Sequence, residues 1–310
     1  MDGKKRTPKG EIEQPNIDFD THLTGNGQAY DTPVGDWWQE RTLDLAHRKA
    51  YQHIAMASAG FCDVMGFKSP LLLDYTCGGG ALIGQLLHYF PKAKIIGIDG
   101  SRKLLEACRD AHTSSCELLK PKEAFALKPK SRVRLTQSIL PNFSLPKHQC
   151  DVVFLVFPNL VPDSKHLDDF NRHGYGHKID NQVARMLSRF REMDPEDETV
   201  TTPPDDLFDD LMTHRVYSRN LRQLLKPGGL LVRVEYTQDS REVLTELTQW
   251  RILFGEGALE ESIKGVLAKP FFHLIGSEYK TSQVILDVFH QTGNPDDRKG
   301  GYMLSFFEAI

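Results

Sequence analysis

Short apolar runs, each stopped by a polar residue, recur through the first half of the chain. Leu71-Leu72-Leu73 is bounded by Pro70 and stops at Asp74, and Lys94-Ile95-Ile96-Gly97-Ile98 ends at Asp99. Asp151-Val152-Val153-Phe154-Leu155-Val156-Phe157 is the longest such run. Unbroken runs of this length suit strands buried on both faces, as a parallel sheet requires. Between the first two, Ala81, Leu82, Leu86, Leu87 and Phe90 recur at helical spacing. A further helix is predicted from Ser101, whose hydroxyl caps it, through Leu104, Leu105, Ala107 and Cys108. Val133–Gln137 alternates apolar and polar residues and ends at Ser138-Ile139, a third strand. Lys226-Pro227-Gly228-Gly229 ends a helix and launches a strand over Leu230–Val234. Phe271–Lys280 and Tyr302–Phe307 read as antiparallel edge strands on either side of the turn signal Thr292–Asp297. Upstream of the sheet, Asp36 is the expected cap of a helix, with Gln39 at the reciprocal place; Leu43, Ala46, Ala50, Ile54 and Ala57 keep helical spacing up to Gly60. The alternation of strand and helix predicts an α/β fold.

The chemistry gathers where the first strand ends. Gly78-Gly79-Gly80 permits a sharp turn with bare backbone N–H groups beside a ligand. Asp99 closes the second strand about 20 residues further on, where Rossmann-like units bond ribose hydroxyls. A dinucleotide fingerprint wants a third glycine where this chain has Ile83, and no Lys-Ser/Thr follows Gly80 as a P-loop demands. What remains is Asp-x-x-Cys-Gly-x-Gly, formed by Asp74, Cys77, Gly78 and Gly80. This pattern resembles the first motif of class I S-adenosylmethionine (SAM)-dependent methyltransferases, with Asp99 matching that family's ribose-binding acid. Thr76 stands where the family often has glycine; a β-branched residue there is expected to be extended, not left-handed. The resemblance implies a Rossmann-like methyltransferase fold: a seven-stranded, mostly parallel sheet with helices on both faces, an N-terminal helical lid and a helical insertion after the fourth strand. It implies SAM as cofactor, held by Asp74, Thr76, Cys77, Gly78, Gly80, Asp99 and Gly100. Ser138 and Ile139 are implied at the adenine, and Phe157 beside the cofactor.

Composition narrows the partners. The 310 residues are 40% hydrophobic and 26% charged with a formal net charge of −4, which does not recommend nucleic acid. No apolar run reaches membrane-spanning length and no signal peptide opens the chain. Five cysteines without C-x-x-C pairs argue against a disulfide scaffold or structural zinc and for a reducing cytoplasm. A cytoplasmic enzyme with a small-molecule acceptor is expected, with no metal; self-association is left open.

The expected organisation is a polar tail over residues 1–20, a helical cap over 21–69 and a SAM-binding domain over 70–310. The cap resembles, distantly, the front end of glycine N-methyltransferases, and on that likeness Arg48 takes the SAM carboxylate and Tyr30 acts as a lid residue. An arginine on an amphipathic helix is otherwise a solvated or ion-paired group. Residues 161–226 form a long detour after the fourth strand, which needs structure of its own. His173-Gly174-Tyr175-Gly176-His177 within it has the look of a metal pair, but two histidines on a glycine-rich loop lack convergent ligands. Asn159, His173, Tyr175, His177 and Trp37 are the acceptor-site candidates, against the plainer reading of surface loop.

Methyl transfer is in-line displacement at a sulfonium methyl, so the protein chiefly aligns the acceptor and excludes water. A hydroxyl or amine must lose a proton, whereas a thioether needs no base. No base is evident in the sequence. That is compatible with a thioether or an amine and decides neither, while net acidity and a large acceptor-side insertion favour a small, amino-acid-like substrate. In overall likeness the chain also resembles bacterial amino-acid methylases of the kind that convert methionine to S-methylmethionine on the route to dimethylsulfoniopropionate, and that resemblance implies methionine as the specific acceptor. The alternatives are another small N- or O-acceptor, a protein or RNA substrate, or a non-methylating relative that binds another adenosine compound.

Overall fold

A computed structural model describes residues 33–43, 45–126, 131–157, 217–237, 272–281 and 301–310. The tail over 1–20 and the turn over 292–297 lie outside the described residues, as does most of the 161–226 detour, including the apparent helix that its sequence suggests over 183–190.

Two helices precede the sheet: α1 (Pro33–Thr42) and α2 (Leu45–Val64). The sequence predicted one helix capped by Asp36. The helix starts instead at Pro33, whose missing N–H costs nothing in a first turn. Asp36 sits within that turn, and the helix breaks at Leu43.

The chain then alternates through β1 (Leu71–Asp74), α3 (Ala81–Tyr89), β2 (Lys94–Asp99), α4 (Arg102–Ala111), β3 (Cys116–Leu118), α5 (Pro121–Ala124), β4 (Val133–Gln137) and β5 (Cys150–Val156). Residues 217–224 are helical and lead into β6 (Leu225–Thr237); β7 (Phe272–Thr281) and β8 (Gly301–Ala309) complete the sheet. Its order is β3-β4-β2-β1-β5-β6-β8-β7. Pairs from β3 to β6 are parallel, and β8 runs antiparallel to both β6 and β7. This is the α/β, Rossmann-like fold. The sheet has eight strands where seven were expected, because Cys116–Leu118 adds a short edge strand beside β4. At the other edge only β7 is outermost; β8 is inserted between β6 and β7. The stretch from Pro121, rich in proline and lysine and so loop-like in sequence, opens with the single turn α5.

Alternation places successive residues on opposite faces, and both faces are covered. Leu72, Ile95, Val152, Phe154, Val232 and Leu304 pack under α2, α3 and α4 with Ile54, Ile83, Leu86 and Leu105. Leu73, Ile96, Val153, Leu155, Leu231 and Phe307 form the other core with Tyr217, Leu221 and Leu224 of the helical segment before β6. Between β5 and β6 the register steps from Cys150↔Leu225 to Val152↔Leu230, so Lys226–Gly229 bulges out of the ladder. Gly228 takes φ 70°, and Lys226 Nζ reaches Asp151 Oδ1 at 2.6 Å. The other Asp151 oxygen accepts the Leu71 N–H at 2.8 Å, which fixes the entry to β1. No described helix is long and apolar enough to cross a membrane.

β2 and β5 flank β1 on opposite sides, so the chain reverses its direction of winding there. The carboxyl ends of β1 and β2 therefore border the crevice where open α/β sheets hold ligands.

Candidate functional site

The segment that leaves β1 for the glycine turn is tied to the strands on either side. Tyr75 N–H donates to the Phe154 carbonyl on β5 at 3.0 Å, and Cys77 N–H to the Ile98 carbonyl on β2 at 2.9 Å. Gly80 N–H closes the turn on the Cys77 carbonyl at 2.9 Å. Gly78 and Gly80 have φ of 49° and 83°, conformations that side chains resist. A Cβ at Gly78 would meet nothing within 4 Å, so space lies open beside it. Thr76 does not share the positive φ, as its branched side chain led one to expect.

Asp99 organises this turn. Its Oδ2 accepts the Gly78 N–H at 2.8 Å and its Oδ1 the Ser101 N–H at 2.9 Å. The two features singled out in the sequence are thus bonded to each other. Ser101 Oγ in turn accepts the Leu104 N–H at 3.2 Å, capping α4 as expected. Ser138 N–H donates to the Asp99 carbonyl at 3.0 Å, bringing the end of β4 to the same place. The Ser138 hydroxyl is held by the Asn142 amide at 2.8 Å, while the neighbouring Ile139 is 50% exposed.

Asp74 is buried, and its Oδ2 has no hydrogen-bond partner. Burial, with the nearby Asp99 charge, pushes its carboxyl up to about 8. Burial likewise raises the Cys77 thiol well above its usual range, so it is no nucleophile. The folded chain thus keeps the Asp74 proton up to about pH 8, whereas an unfolded chain releases it near pH 4. Between those values the native state binds more protons, so stability falls as pH rises, by at most about 1.4 kcal/mol per pH unit from this group. Asp74→Asn should flatten the decline of Tm between pH 5 and 8. An equally steep decline in the variant would remove Asp74 as its source.

α1 lies over the turn. A Cβ on Gly79 would come within 3.5 Å of Gln39 Cγ, and Asp36 bridges to Lys103 on α4 at 2.6 Å. Both residues, expected to cap a helix, instead face the sheet edge. Arg48 is exposed and its Nε donates to the Leu43 carbonyl, so in this structure it braces the α1–α2 junction.

Beyond β5 an aromatic group gathers. Phe157, at φ 48°, has ring centroids of His47, Tyr51 and Tyr302 at 6.1, 6.0 and 6.0 Å, each near edge-on. Tyr302 was legible only as a strand residue, and no spacing links it to Phe157. Tyr30, Asn159, His173, Tyr175 and His177 lie outside the described residues, as does the side chain of Trp37. Among the described residues no three His, Cys, Asp or Glu side chains gather to hold a metal. All five cysteines are free.

No protein family's model matches the chain, and no curated protein matches it. Solved structures do. A SAM-dependent methyltransferase from Methanosarcina mazei is 14% identical, with 81% of this chain and 97% of that one covered, at a TM-score of 0.42. A putative sarcosine dimethylglycine methyltransferase from Galdieria sulphuraria is 8% identical over 84% and 85%, at 0.40. Geranyl diphosphate C-methyltransferase from Streptomyces coelicolor is 10% identical over 82% and 76%, at 0.41. Strand order and register, described above, define the fold independently of these likenesses.

Proposed function

We propose that the chain is a SAM-dependent methyltransferase acting on a small, amino-acid-like acceptor. The observation that carries this reading is the Gly78–Asp99 hydrogen bond, set at the switch point of the sheet beside open space and an unpartnered buried carboxyl. The residues suit the group. Each Asp99 oxygen retains acceptor capacity for a ribose hydroxyl after bonding a backbone N–H. Ile139 offers apolar surface to an adenine, with Ser138 next to it. The open backbone at Gly78 admits the methionine portion, and Asp74 is a neutral carboxyl able to ionise when a cation arrives. SAM supplies a methyl group on a cationic sulfonium. The chain orients it, and α1, packed over Gly79, serves as part of a lid that keeps water out.

The aromatic rings around Phe157 suit a compact acceptor approaching a sulfonium, since ring faces attract cations. Methionine is the specific acceptor drawn from the resemblance; an amino group on a similar metabolite fits the same description. Titration calorimetry with S-adenosylhomocysteine, the demethylated product, tests the cofactor assignment. Saturable binding near one equivalent is expected, and no heat at millimolar ligand with the protein folded would overturn it. Transfer of label from SAM to an amino acid then separates an enzyme from a relative that only binds.

A further inference from the structure

Three side chains remote in sequence form one hydrogen-bonded row at the edge that holds Phe157. The Tyr302 hydroxyl lies 2.8 Å from His53 Nδ1, and His53 Nε2 lies 3.1 Å from Glu278 Oε2. Register fixes the level. Val156 pairs with Val234 and Val234 with Leu304, while Tyr302 pairs with Tyr236, two residues nearer the carboxyl edge. Tyr302 thus stands just beyond the end of β5, on the face covered by α2, with its ring 6.0 Å from that of Phe157.

The direction of the row follows from its far end. Lys280 Nζ sits 2.5 Å from the other Glu278 oxygen, and Lys280 and His53 together hold the Glu278 carboxyl below its usual range. A carboxylate only accepts, so His53 carries hydrogen on Nε2, and in the neutral ring Nδ1 must then accept. Burial and Glu278 push Tyr302 up to about 12, so its phenol is protonated and donates to Nδ1. The phenol oxygen keeps its lone pairs for another donor. The arrangement can take up a proton at Tyr302 and pass one to His53 beside a waiting carboxylate.

We propose that Tyr302, with His53 and Glu278 behind it, is the proton acceptor for methyl transfer, so that the acceptor is an N–H or O–H nucleophile and not a thioether. As the new bond to carbon forms and the carbon–sulfur bond breaks, the acceptor's proton goes to the Tyr302 oxygen. The Tyr302 proton moves to His53 Nδ1, and the imidazolium is balanced by Glu278. S-adenosylhomocysteine leaves neutral, and the proton later passes to solvent. The inference rests on the methyltransferase reading and chooses among the acceptors that reading allows.

Two measurements on the full chain test it. The first uses ¹⁵N-histidine-labelled protein saturated with S-adenosylhomocysteine, the His53 signals being those lost in His53→Gln. The expected result is the neutral Nε2–H tautomer, with an Nδ1 shift that moves in Tyr302→Phe. An Nδ1–H tautomer, or an Nδ1 signal indifferent to Tyr302→Phe, overturns the proposal. The second uses labelled SAM with a primary amine, a phenol and methionine as probes. Methylation of the amine, the phenol or methionine's own amino group, reduced about 100-fold in Tyr302→Phe with S-adenosylhomocysteine affinity within threefold, is the expected outcome. Glu278→Gln, at an exposed position, guards against a folding defect and should lower the same rate. Methylation confined to the methionine sulfur, or transfer undiminished in the variants, overturns it; where no probe turns over, the nitrogen spectrum decides alone. Failure of the wild type to bind S-adenosylhomocysteine would instead sink the methyltransferase reading.

Discussion

Replacing Asp99 by alanine should weaken S-adenosylhomocysteine binding by tenfold or more while the sheet stays folded. The carboxylate accepts the Gly78 and Ser101 N–H groups at 2.8 and 2.9 Å and, on the proposed reading, two ribose hydroxyls as well. Hydrogen bonds to a charged group contribute about 1.5–3 kcal/mol each, and one lost bond of that size already accounts for the tenfold. Alanine also leaves Gly78 N–H without its acceptor, so part of the loss comes from a turn that no longer holds its shape. Asp99→Asn separates the two effects. It keeps one acceptor oxygen for a backbone N–H but loses the charge, so it should bind more weakly than wild type and better than alanine. Unchanged affinity by calorimetry in a folded Asp99→Ala protein would remove Asp99 from the ligand site.

The strands that build this site were legible because their side chains are buried on both faces. A run such as Leu71–Leu73 or Val152–Val156 leaves no other economical arrangement in an α/β chain. The Ser101 cap was legible for a local reason: a hydroxyl three residues before the N–H it accepts. Elements that owe their form to tertiary packing were not. β3 is three residues long, with an exposed Glu117 at its centre, and exists as a strand because β4 offers it a ladder. The bulge at Lys226–Gly229 extends β6 well before the apolar run begins, and depends on Asp151 across the sheet. The break at Leu43 splits a periodic helix that spacing alone continues.

The site divides along the same line. Asp74, Cys77, Gly78, Gly80 and Asp99 stand close in sequence, and a strand–turn–helix unit is enough to gather them. Tyr302, His53 and Glu278 are separated by 249 and 225 positions and meet only because β8 is inserted beside β6, under α2. Spacing carries no trace of such a meeting. The sequence therefore pointed to a cofactor and was silent about a base, and its residues left a thioether and an amine acceptor equally open.

Gly80→Ala should be the most damaging single substitution in the turn, costing about 2–5 kcal/mol. Two terms add. Gly80 sits at φ 83°, where a side chain costs about 1–2 kcal/mol. A Cβ there would lie 2.3 Å from Cys108 Sγ and 3.1 Å from Cys108 Cβ, and overpacking a filled interior costs about 1–3 kcal/mol. Cys108 cannot swing freely away, because it is fully buried on α4 within the core beneath the turn. For a chain of this size the sum corresponds to a Tm lower by roughly 3–8 °C. The steric term is separable. In the double variant Gly80→Ala with Cys108→Ala the sulfur is gone, so the pair should be less destabilised than the two single changes summed, by about 0.5–3 kcal/mol. The backbone term remains, and S-adenosylhomocysteine affinity should recover only in part, since the turn is still strained. A coupling energy near zero would mean that Cys108 does not press on Gly80, and that backbone conformation alone requires glycine at this position.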